Sequence, residues 1–205
     1  MAVINLKNRQ IECKLVYYGP GRSGKTTNLE YINRNFTKQV AGKMISIDTE
    51  GDRTLFFDFL PIGLGKVRGC DVRVQLYTVP GQVKYRATRE LVLRGADGII
   101  FVADSLTVRR EKNMMSLKDL HENLKKLGMD IRKIPLVLQY NKRDLGKTGL
   151  PIMSVEKMER ELNRQLKVPS FPASALNGQG VGTTLTQTIK LILQYLQKEF
   201  KWASG

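Results

Sequence analysis

The stretch GPGRSGKT, residues 19–26, decides the fold that we expect for this chain. It follows an apolar segment with strand character, Ile11–Tyr18, and it opens a segment with helical periodicity, Lys25–Asn35. The pattern G-x-x-x-x-G-K-[ST] in this context is typical of a phosphate-binding loop, because its backbone N–H groups and the helix N-terminus attract phosphate. Lys25 would reach the β- and γ-phosphates, and the Thr26 hydroxyl would bind Mg²⁺. A Gly-rich turn without a ligand is the alternative, which the strand and the helix disfavour.

Strand and helix patterns alternate along the rest of the chain. Strands are predicted at Thr54–Leu60, Val72–Thr78, Gly98–Ala103, Pro135–Tyr140 and Phe171–Ser174. Helices are predicted at Val83–Leu93, Val108–Leu127, Ser154–Leu166 (with Ser154 as N-cap) and Val181–Phe200. The first two of these strands would form an antiparallel hairpin across the Gly-rich connection Gly63–Gly69. The order predicts an α/β fold with a mixed, mostly parallel sheet, one antiparallel hairpin strand, and helices on both faces.

Length and composition indicate one domain, residues 1–198, with a short tail, 199–205. The chain has 205 residues, of which 41% are hydrophobic and 26% charged, as in an ordinary globular domain. No apolar run approaches the roughly 20 residues of a membrane span, and the N-terminus lacks the apolar segment of a signal peptide. Cys13 and Cys70 form neither a metal nor a disulfide pattern, which fits a reducing cytosol. We expect no lipid anchor, because the sequence starts without Met-Gly and ends without Cys.

The net charge of +15 is unusually basic, with 34 Lys and Arg against 19 Asp and Glu. The basic residues are scattered, and no block of five or six is present. A solvated surface is the interpretation that we favour, and a patch for anionic lipid, nucleic acid or an acidic partner is the alternative. We expect no sequence-specific binding of nucleic acid.

Two loops after later strands indicate that the nucleotide base is guanine. The first is NKRD, residues 141–144, in which the Asp144 carboxylate can accept hydrogen bonds from guanine N1–H and N2–H₂, a donor pair that adenine lacks. Asn141 would tie the loops together, and the stem of Lys142 would lie over the base. The second is Ser174-Ala175-Leu176, whose backbone N–H groups could meet guanine O6. Each motif alone could be a surface turn, but their order after the phosphate loop favours the guanine site.

Two further loops carry candidate groups for hydrolysis. In TVPGQ, residues 78–82, Gly81 lets the backbone approach a γ-phosphate, and Gln82 could orient the attacking water. Before the hairpin, Thr54 is a candidate second hydroxyl on Mg²⁺, and Arg53 could supply charge to the transition state. The alternatives are an ordinary β-branched residue at a strand start for Thr54 and a solvated side chain for Arg53.

The candidate site therefore draws on five parts of the sequence. The residues assigned to nucleotide binding are Gly19, Gly21, Arg22, Ser23, Gly24, Lys25, Thr26, Thr27, Gly81, Asn141, Lys142, Asp144, Ser174, Ala175 and Leu176. The metal ligands are Thr26 and Thr54, and the catalytic residues are Gln82 and Arg53.

GPGRSGKTT, TVPGQ and NKRD, in this order and spacing, resemble the Ras-like small GTPase G domain. YYGPGRSGKTTN, DRTLFFDFLP, LYTVPGQVKY and GADGIIFVADS resemble more narrowly the bacterial MglA family, and the resemblance runs from about Asn5 to Leu196. Small GTPases generally carry D-x-x-G before the Gln, and here Thr78 stands in the Asp position, as in MglA proteins. That exchange removes a carboxylate that would hold a Mg²⁺-bound water, so it bears on Mg²⁺ affinity and not on the fold.

The resemblance implies a molecular switch that binds GTP or GDP with Mg²⁺, hydrolyses GTP slowly, and regulates cell polarity and gliding motility. It implies a roadblock-type GTPase-activating protein, MglB-like, that repositions Arg53 and Gln82, together with an exchange factor and polarity effectors. The first hairpin strand would slide between nucleotide states. The expected location is the cytoplasm, at a cell pole or peripheral to the inner membrane.

Rival functions remain open at this point. A GTP-binding scaffold without hydrolysis is favoured if Thr78 prevents the use of Mg²⁺, and a nucleic-acid-associated P-loop protein is suggested only by the charge. An ATPase or kinase is disfavoured by NKRD. A separate prediction concerns Leu55–Leu60, which is apolar on both faces: as an edge strand it would form a partner surface coupled to nucleotide state, unless the helix Lys25–Asn35 and the preceding loop cover it.

Overall fold

The computed structural model describes residues 2–5, 9–48, 56–67, 69–81 and 85–200. Within these residues the strands are β1 Val3–Asn5, β2 Gln10–Tyr18, β3 Ile45–Asp48, β4 Phe56–Val67, β5 Cys70–Thr78, β6 Gly98–Asp104, β7 Leu136–Asn141 and β8 Ser170–Pro172. The α-helices are α1 Lys25–Asn35, α2 Arg86–Leu93, α3 Arg110–Lys126, α4 Val155–Met158 and α5 Val181–Phe200. Short 3₁₀ turns lie at Thr107–Arg109 and Arg143–Thr148, and a π turn lies at Glu159–Asn163.

The strands form one sheet in the order β3-β4-β5-β2-β6-β7-β8, with β1 paired antiparallel to the start of β2. Strands β5, β2, β6, β7 and β8 are parallel to one another, whereas β4 runs antiparallel to both β3 and β5. Every residue of β6 and β7 is buried, as expected for central parallel strands covered on both faces. The predicted α/β fold is confirmed, and β1 and β3 are strands that the sequence analysis did not predict.

Helices cover both faces of the sheet, as predicted. On one face, Leu29 and Ile32 of α1 and Leu185 of α5 pack with the odd-numbered residues of β2. On the other face, helices α2 to α4 pack with Val16 and Tyr18 of the same strand. The carboxyl ends of the parallel strands therefore meet at one edge of the sheet, where the loops between strands and helices converge. None of the described helices combines the length and the apolar character needed to cross a membrane.

The hairpin differs from its prediction in two respects. The Gly-rich segment is mostly strand, because β4 continues through Gly63 and Gly65, with an irregularity between them, and pairs with β5 as far as Val67 opposite Cys70. The predicted edge position of this strand is wrong, because β3 pairs with it antiparallel from Ile45 opposite Phe59 onward. The four residues of β3 alternate apolar and polar side chains over too short a run to be separated from a loop by pattern alone.

The helix predicted at Ser154–Leu166 is also divided. Ser154 is its N-cap, as predicted, since its Oγ accepts a hydrogen bond of 3.2 Å from the backbone N–H of Lys157. After α4 the backbone widens into the π turn, in which Glu159 accepts a 3.0 Å bond from the Tyr140 hydroxyl. The first and last long helices, α1 and α5, have the predicted bounds.

Candidate nucleotide site

The loop between β2 and α1 is shaped by two glycines whose backbone conformation and close contacts disfavour any other residue. Gly19 has φ of 141° and Gly24 has φ of 98°, both in the region that favours glycine. A Cβ atom on Gly19 would lie 2.3 Å from the carbonyl oxygen of Val102, and one on Gly24 would lie 2.2 Å from Nδ2 of Asn141. The loop is therefore packed directly against β6 and against the first residue of NKRD.

Lys25 lies inside this loop and is almost fully buried. Its Nζ donates hydrogen bonds to the carbonyl oxygens of Gly19, at 3.0 Å, and Pro20, at 2.7 Å. Burial lowers the pKa of Lys25 from 10.5 to about 7, nearby Asp58 partly offsets this shift, and nearby arginines add to it. An anion in the loop would stabilise the charged form of this lysine, which is the electrostatic property a phosphate site needs.

The other loop residues assigned from the sequence lie around Lys25. Ser23 is buried, Thr27 is half-buried, and Arg22 and Thr26 are exposed. Arg22 has a φ of 63°. The Ser23 hydroxyl has no hydrogen-bond partner within the described structure.

A carboxylate that the sequence analysis did not single out lies beside Thr26. Asp58 of β4 is buried, and its Oδ2 accepts hydrogen bonds from the Thr26 hydroxyl at 2.6 Å and the Thr78 hydroxyl at 2.8 Å. Its Oδ1 accepts a 2.8 Å bond from Ser46 of β3, and its backbone N–H donates to the Thr78 oxygen at 2.9 Å. A signal was available, because Asp58 is the single charged residue in the run FFDFLPIGLG, residues 56–65.

The position of Asp58 changes what we expect from the threonine at position 78. The exchange of the usual Asp for Thr78 does remove a carboxylate from β5, but the adjacent strand brings Asp58 to the Thr26 hydroxyl. The Thr78 hydroxyl helps to position that carboxylate. It accepts a hydrogen bond from the backbone N–H of Asp58 and donates one to Oδ2 of the same residue. The Asp58 carboxylate therefore lies next to the Thr26 hydroxyl, in the first turn of α1.

The loop after β5 packs directly on the phosphate loop. The backbone N–H of Gly21 donates a 3.1 Å hydrogen bond to the carbonyl oxygen of Gly81. A Cβ on Gly81 would lie 2.1 Å from that same nitrogen, so the contact requires glycine at this position. The remaining candidates for hydrolysis and metal binding, Gln82, Arg53 and Thr54, lie outside the described residues.

Asn141 joins the two loops assigned to the base with the phosphate loop. Its Nδ2 donates a 2.8 Å bond to the Ser23 carbonyl, and its Oδ1 accepts a 2.8 Å bond from the backbone N–H of Ala175. The expectation that this residue ties the loops together agrees with these contacts. The half-buried Asp144 follows in the 3₁₀ turn, and Leu176 is 77% exposed at the rim. Ser174, buried beside Ala175, donates its backbone N–H to Gln179.

A second missed carboxylate, Asp104, links the base side to the phosphate side. It ends β6 with its side chain fully buried, and its Oδ2 lies 2.8 Å from Nζ of Lys142 and 3.6 Å from Nε of Arg109. The same arginine donates a hydrogen bond from Nη2 to the Gly21 carbonyl. No motif marks Arg109, and the available signal for Asp104 was an acidic residue at the carboxyl end of an apolar strand.

The fold and these converging loops define a P-loop protein. Residues 14–194 match the model of the Ras family, and the chain belongs to that family. It is a small GTPase, as the sequence analysis predicted, and it binds guanine nucleotide.

Individual relatives are consistent with this assignment. The chain is 52% identical over 198 residues to the mutual gliding-motility protein MglA of Myxococcus xanthus (strain DK1622), covering 97% of this chain and 99% of that protein. It is 28% identical over 184 residues to ADP-ribosylation factor-like protein 4C of Homo sapiens and of Mus musculus, covering 88% of this chain and 86% of those proteins. The resemblance to MglA inferred from the motifs is confirmed, whereas the roles of individual residues stay predictions.

Proposed function

We propose that this small GTPase is a nucleotide-dependent switch in cell polarity and gliding motility. The observation that carries the nucleotide site is the pair of hydrogen bonds of Asn141, which connects the phosphate loop to the Ser174–Leu176 loop. One ligand spanning both loops fits this connection, as a guanine nucleotide would. The cellular role is supported by the 52% identity to a gliding-motility protein.

GTP and GDP would be held by their two ends. Lys25 and the backbone N–H groups of residues 19–27 would bind the phosphates, with the Gly81 loop beside the γ-phosphate. Asp144 would select guanine, because a carboxylate left without donors by adenine would be costly. Lys142, whose charge Asp104 neutralises at 2.8 Å, would cover the base with its aliphatic stem.

Mg²⁺ would be held by the hydroxyls of Thr26 and Thr54. The residues present fit this ion, because the Thr26 oxygen lies 2.6 Å from a carboxylate oxygen of Asp58 and magnesium prefers such oxygen ligands. Asp58 would take the part of the carboxylate that Thr78 lacks. The ion supplies neutralisation of phosphate charge when it is bound.

Hydrolysis would depend on Gln82, which orients water, and on Arg53, which spreads charge in the transition state. Intrinsic turnover would be slow until a roadblock-type activator of the MglB kind positions both. An exchange factor and polarity effectors would complete the cycle, and the protein would act in the cytoplasm, at a cell pole or at the periphery of the inner membrane. These partners are inferred from the resemblance.

The partner surface proposed for Leu55–Leu60 is a face of β4 and not an edge. Its described part includes the half-buried rings of Phe57 and Phe59, with centroids 5.8 and 5.0 Å from that of Tyr77. Half-buried aromatic side chains grouped in this way are typical of protein interfaces. Because Asp58 lies between the two phenylalanines, a shift of this strand would move the surface and the nucleotide site together.

The test is to add stoichiometric GTP or ATP with Mg²⁺ and to follow the bound nucleotide by chromatography over hours. Slow conversion of bound GTP to retained GDP, with ATP ignored, is expected. The variant Asp144→Asn should lose guanine selectivity, whereas Lys147→Ala, an exposed change in the same 3₁₀ turn, should behave as wild type. Bound but unchanged GTP would favour the scaffold, and consumption of ATP would contradict the guanine assignment.

A further inference from the structure

We propose that Arg109 is a phosphate-binding residue that this chain supplies in cis, and that it contacts the outermost phosphate of GTP. The inference rests on the proposed guanine-nucleotide site and adds to it a residue that no motif predicts. Arg109 would bind the triphosphate more tightly than the diphosphate. It would in this way help the protein to sense which nucleotide is bound.

The backbone around Arg109 is held firmly in place. Its N–H donates a 2.9 Å hydrogen bond to the Leu106 carbonyl, and the N–H of Thr107 donates a 3.0 Å bond to Pro151. The residue closes the 3₁₀ turn that follows β6 and immediately precedes α3. A long side chain leaving such an anchored turn samples few positions, which favours precise contact with a ligand.

The guanidinium lies against the phosphate loop at its Gly81 side. Nη2 donates to the carbonyl of Gly21, the residue whose N–H is bonded to Gly81 at 3.1 Å. The Gly81 loop is the one expected beside the γ-phosphate, whereas Asn141 marks the base side of the same loop. Arg109 therefore lies at the end of the site where a third phosphate would be added.

The local charges leave this arginine available for an anion. Asp104 is one carboxylate shared between two cations, with Lys142 at 2.8 Å and Arg109 at 3.6 Å. Lys142 is closer, so it forms the stronger ion pair with Asp104. Arg109 also contributes to lowering the pKa of the buried Lys25, so the two cations are near enough to repel each other. A phosphate group between them would turn this repulsion into attraction.

The donor count agrees with that role. A guanidinium has five N–H donors in a planar fork that matches phosphate oxygens. In Arg109, Nε faces Asp104 and one Nη2 proton is bonded to Gly21. The side chain is 18% exposed, so it is desolvated enough for a strong contact and open to an entering ligand.

A purely structural role makes a different prediction. If Arg109 only clamps the Gly21 carbonyl, its loss would loosen the whole phosphate loop. GDP and GTP would then be weakened equally, together with thermal stability. A contact with the outermost phosphate instead lowers the affinity for the triphosphate more than the affinity for the diphosphate.

The test compares Arg109→Gln and Arg109→Lys with a matched control, Arg110→Gln. Arg110 is the neighbouring arginine, and it pairs with Glu161 on the surface at 2.9 Å. Each variant is titrated by calorimetry with GDP and with a non-hydrolysable GTP analogue, in Mg²⁺ at fixed salt. We expect Arg109→Gln to lose about tenfold or more in affinity for the triphosphate analogue, since a charged hydrogen bond is worth about that factor. Its affinity for GDP should fall only by what the lost Gly21 and Asp104 contacts cause, so that the ratio of triphosphate to diphosphate affinity falls about tenfold or more.

Arg109→Lys should show a smaller loss in the same direction, because it keeps the charge and lacks the fork. It also provides the comparison if Arg109→Gln does not fold. Equal losses for both nucleotides, or a triphosphate-to-diphosphate ratio equal to that of Arg110→Gln, would overturn the inference. Failure of the wild-type protein to bind either guanine nucleotide would instead overturn the proposed function, so the two failures are distinguishable.

Discussion

The hydroxyl of Thr26 donates a 2.6 Å hydrogen bond to the carboxylate of Asp58, a residue 32 positions further along the chain. Thr26 belongs to the first turn of α1, and Asp58 belongs to a strand that is separated from β2 by β5. The bond places an acidic group of β4, the strand expected to slide between nucleotide states, at the hydroxyl proposed to bind Mg²⁺. A shift of β4 would therefore alter the surroundings of the proposed metal site.

The first prediction is that Asp58→Asn weakens the dependence of GTP binding on Mg²⁺. Asparagine keeps the shape and the acceptor oxygen of Asp58 but not its charge. The affinity for a GTP analogue should fall about tenfold in Mg²⁺, the factor expected for one charged contact, and should be unchanged in EDTA. Titration calorimetry under both conditions measures this difference.

Ser46→Ala is the control for that variant. Ser46 donates to the other carboxylate oxygen of Asp58 at 2.8 Å, and its removal leaves both the charge and the Thr26 bond in place. An equal loss of Mg²⁺ dependence in both variants would mean that strand packing is the cause. An Asp58→Asn protein that responds to Mg²⁺ as wild type would remove the proposed role.

The second prediction concerns the pH dependence that the buried Lys25 imposes. Its pKa is lowered to about 7 in the folded protein, against 10.5 for an exposed lysine. Between these two values the unfolded chain binds more protons than the folded one. The free energy of unfolding of the nucleotide-free protein should therefore rise with pH from about 7 to about 10.5 through this residue.

Other groups also titrate in this window, so the comparison is with Lys25→Met. The difference in unfolding free energy between wild type and Lys25→Met, measured by urea denaturation across that pH range, isolates the lysine. Nucleotide binding above pH 7 should also take up a proton, because phosphate restores the charged form. Calorimetry in buffers of different ionisation enthalpy detects this uptake, and a binding enthalpy that is independent of buffer would contradict it.

The third prediction is that Gln82→Leu keeps the protein in its GTP state. Leucine has a similar volume but cannot hydrogen-bond to the attacking water. Single-turnover hydrolysis should become undetectably slow, with or without activator, whereas affinity for GDP stays that of wild type. Hydrolysis at the wild-type rate in the presence of an activator would show that another group orients the water.

Much of this architecture could be predicted because it depends on local pattern. Helix α1 begins where the phosphate loop demands it, and α5 carries a regular apolar face, so the bounds of both were predicted. The run from Gly63 to Gly69 carries residues of low strand propensity, but pairing with β5 stabilises most of it as a strand. In this run the hydrogen bonds to β5 outweigh the low intrinsic strand propensity of the residues.

The candidate site likewise has one part that could be predicted from the sequence and one part that could not. Glycines at fixed spacing reveal a loop that needs positive φ, so the phosphate loop is visible in the sequence. The pairs Thr26–Asp58 and Gly21–Arg109 are separated by 32 and 88 positions, and only the topology of the sheet brings them together. Charged residues inside or at the end of apolar strands were the available signal, and that signal says nothing about the partner.

The last prediction is that Arg89→Gln destabilises the protein and loosens the loop after β5. Arg89 of α2 is buried, and its Nε lies 2.9 Å from Oδ2 of Asp119 on α3. Its Nη1 also reaches the Pro80 carbonyl at 3.5 Å, one residue before Gly81. Removing the Arg89 guanidinium leaves the negative charge of Asp119 without the cation that pairs with it. We expect a loss of about 2–3 kcal/mol in the free energy of unfolding, below the 3–5 of a fully buried pair because Asp119 is partly exposed.

The matched control joins the same two helices on the surface. Lys126 of α3 lies 2.8 Å from Glu90 of α2 in an exposed ion pair, so Lys126→Gln should cost less than about 1 kcal/mol. Urea denaturation measures both variants, and hydrogen exchange at Val79 and Gly81 reports on the loop. Faster exchange in Arg89→Gln but not in Lys126→Gln is expected, because only Arg89 reaches the backbone of that loop. Equal destabilisation by both changes would mean that the helix contact, and not the buried arginine, stabilises this side of the nucleotide site.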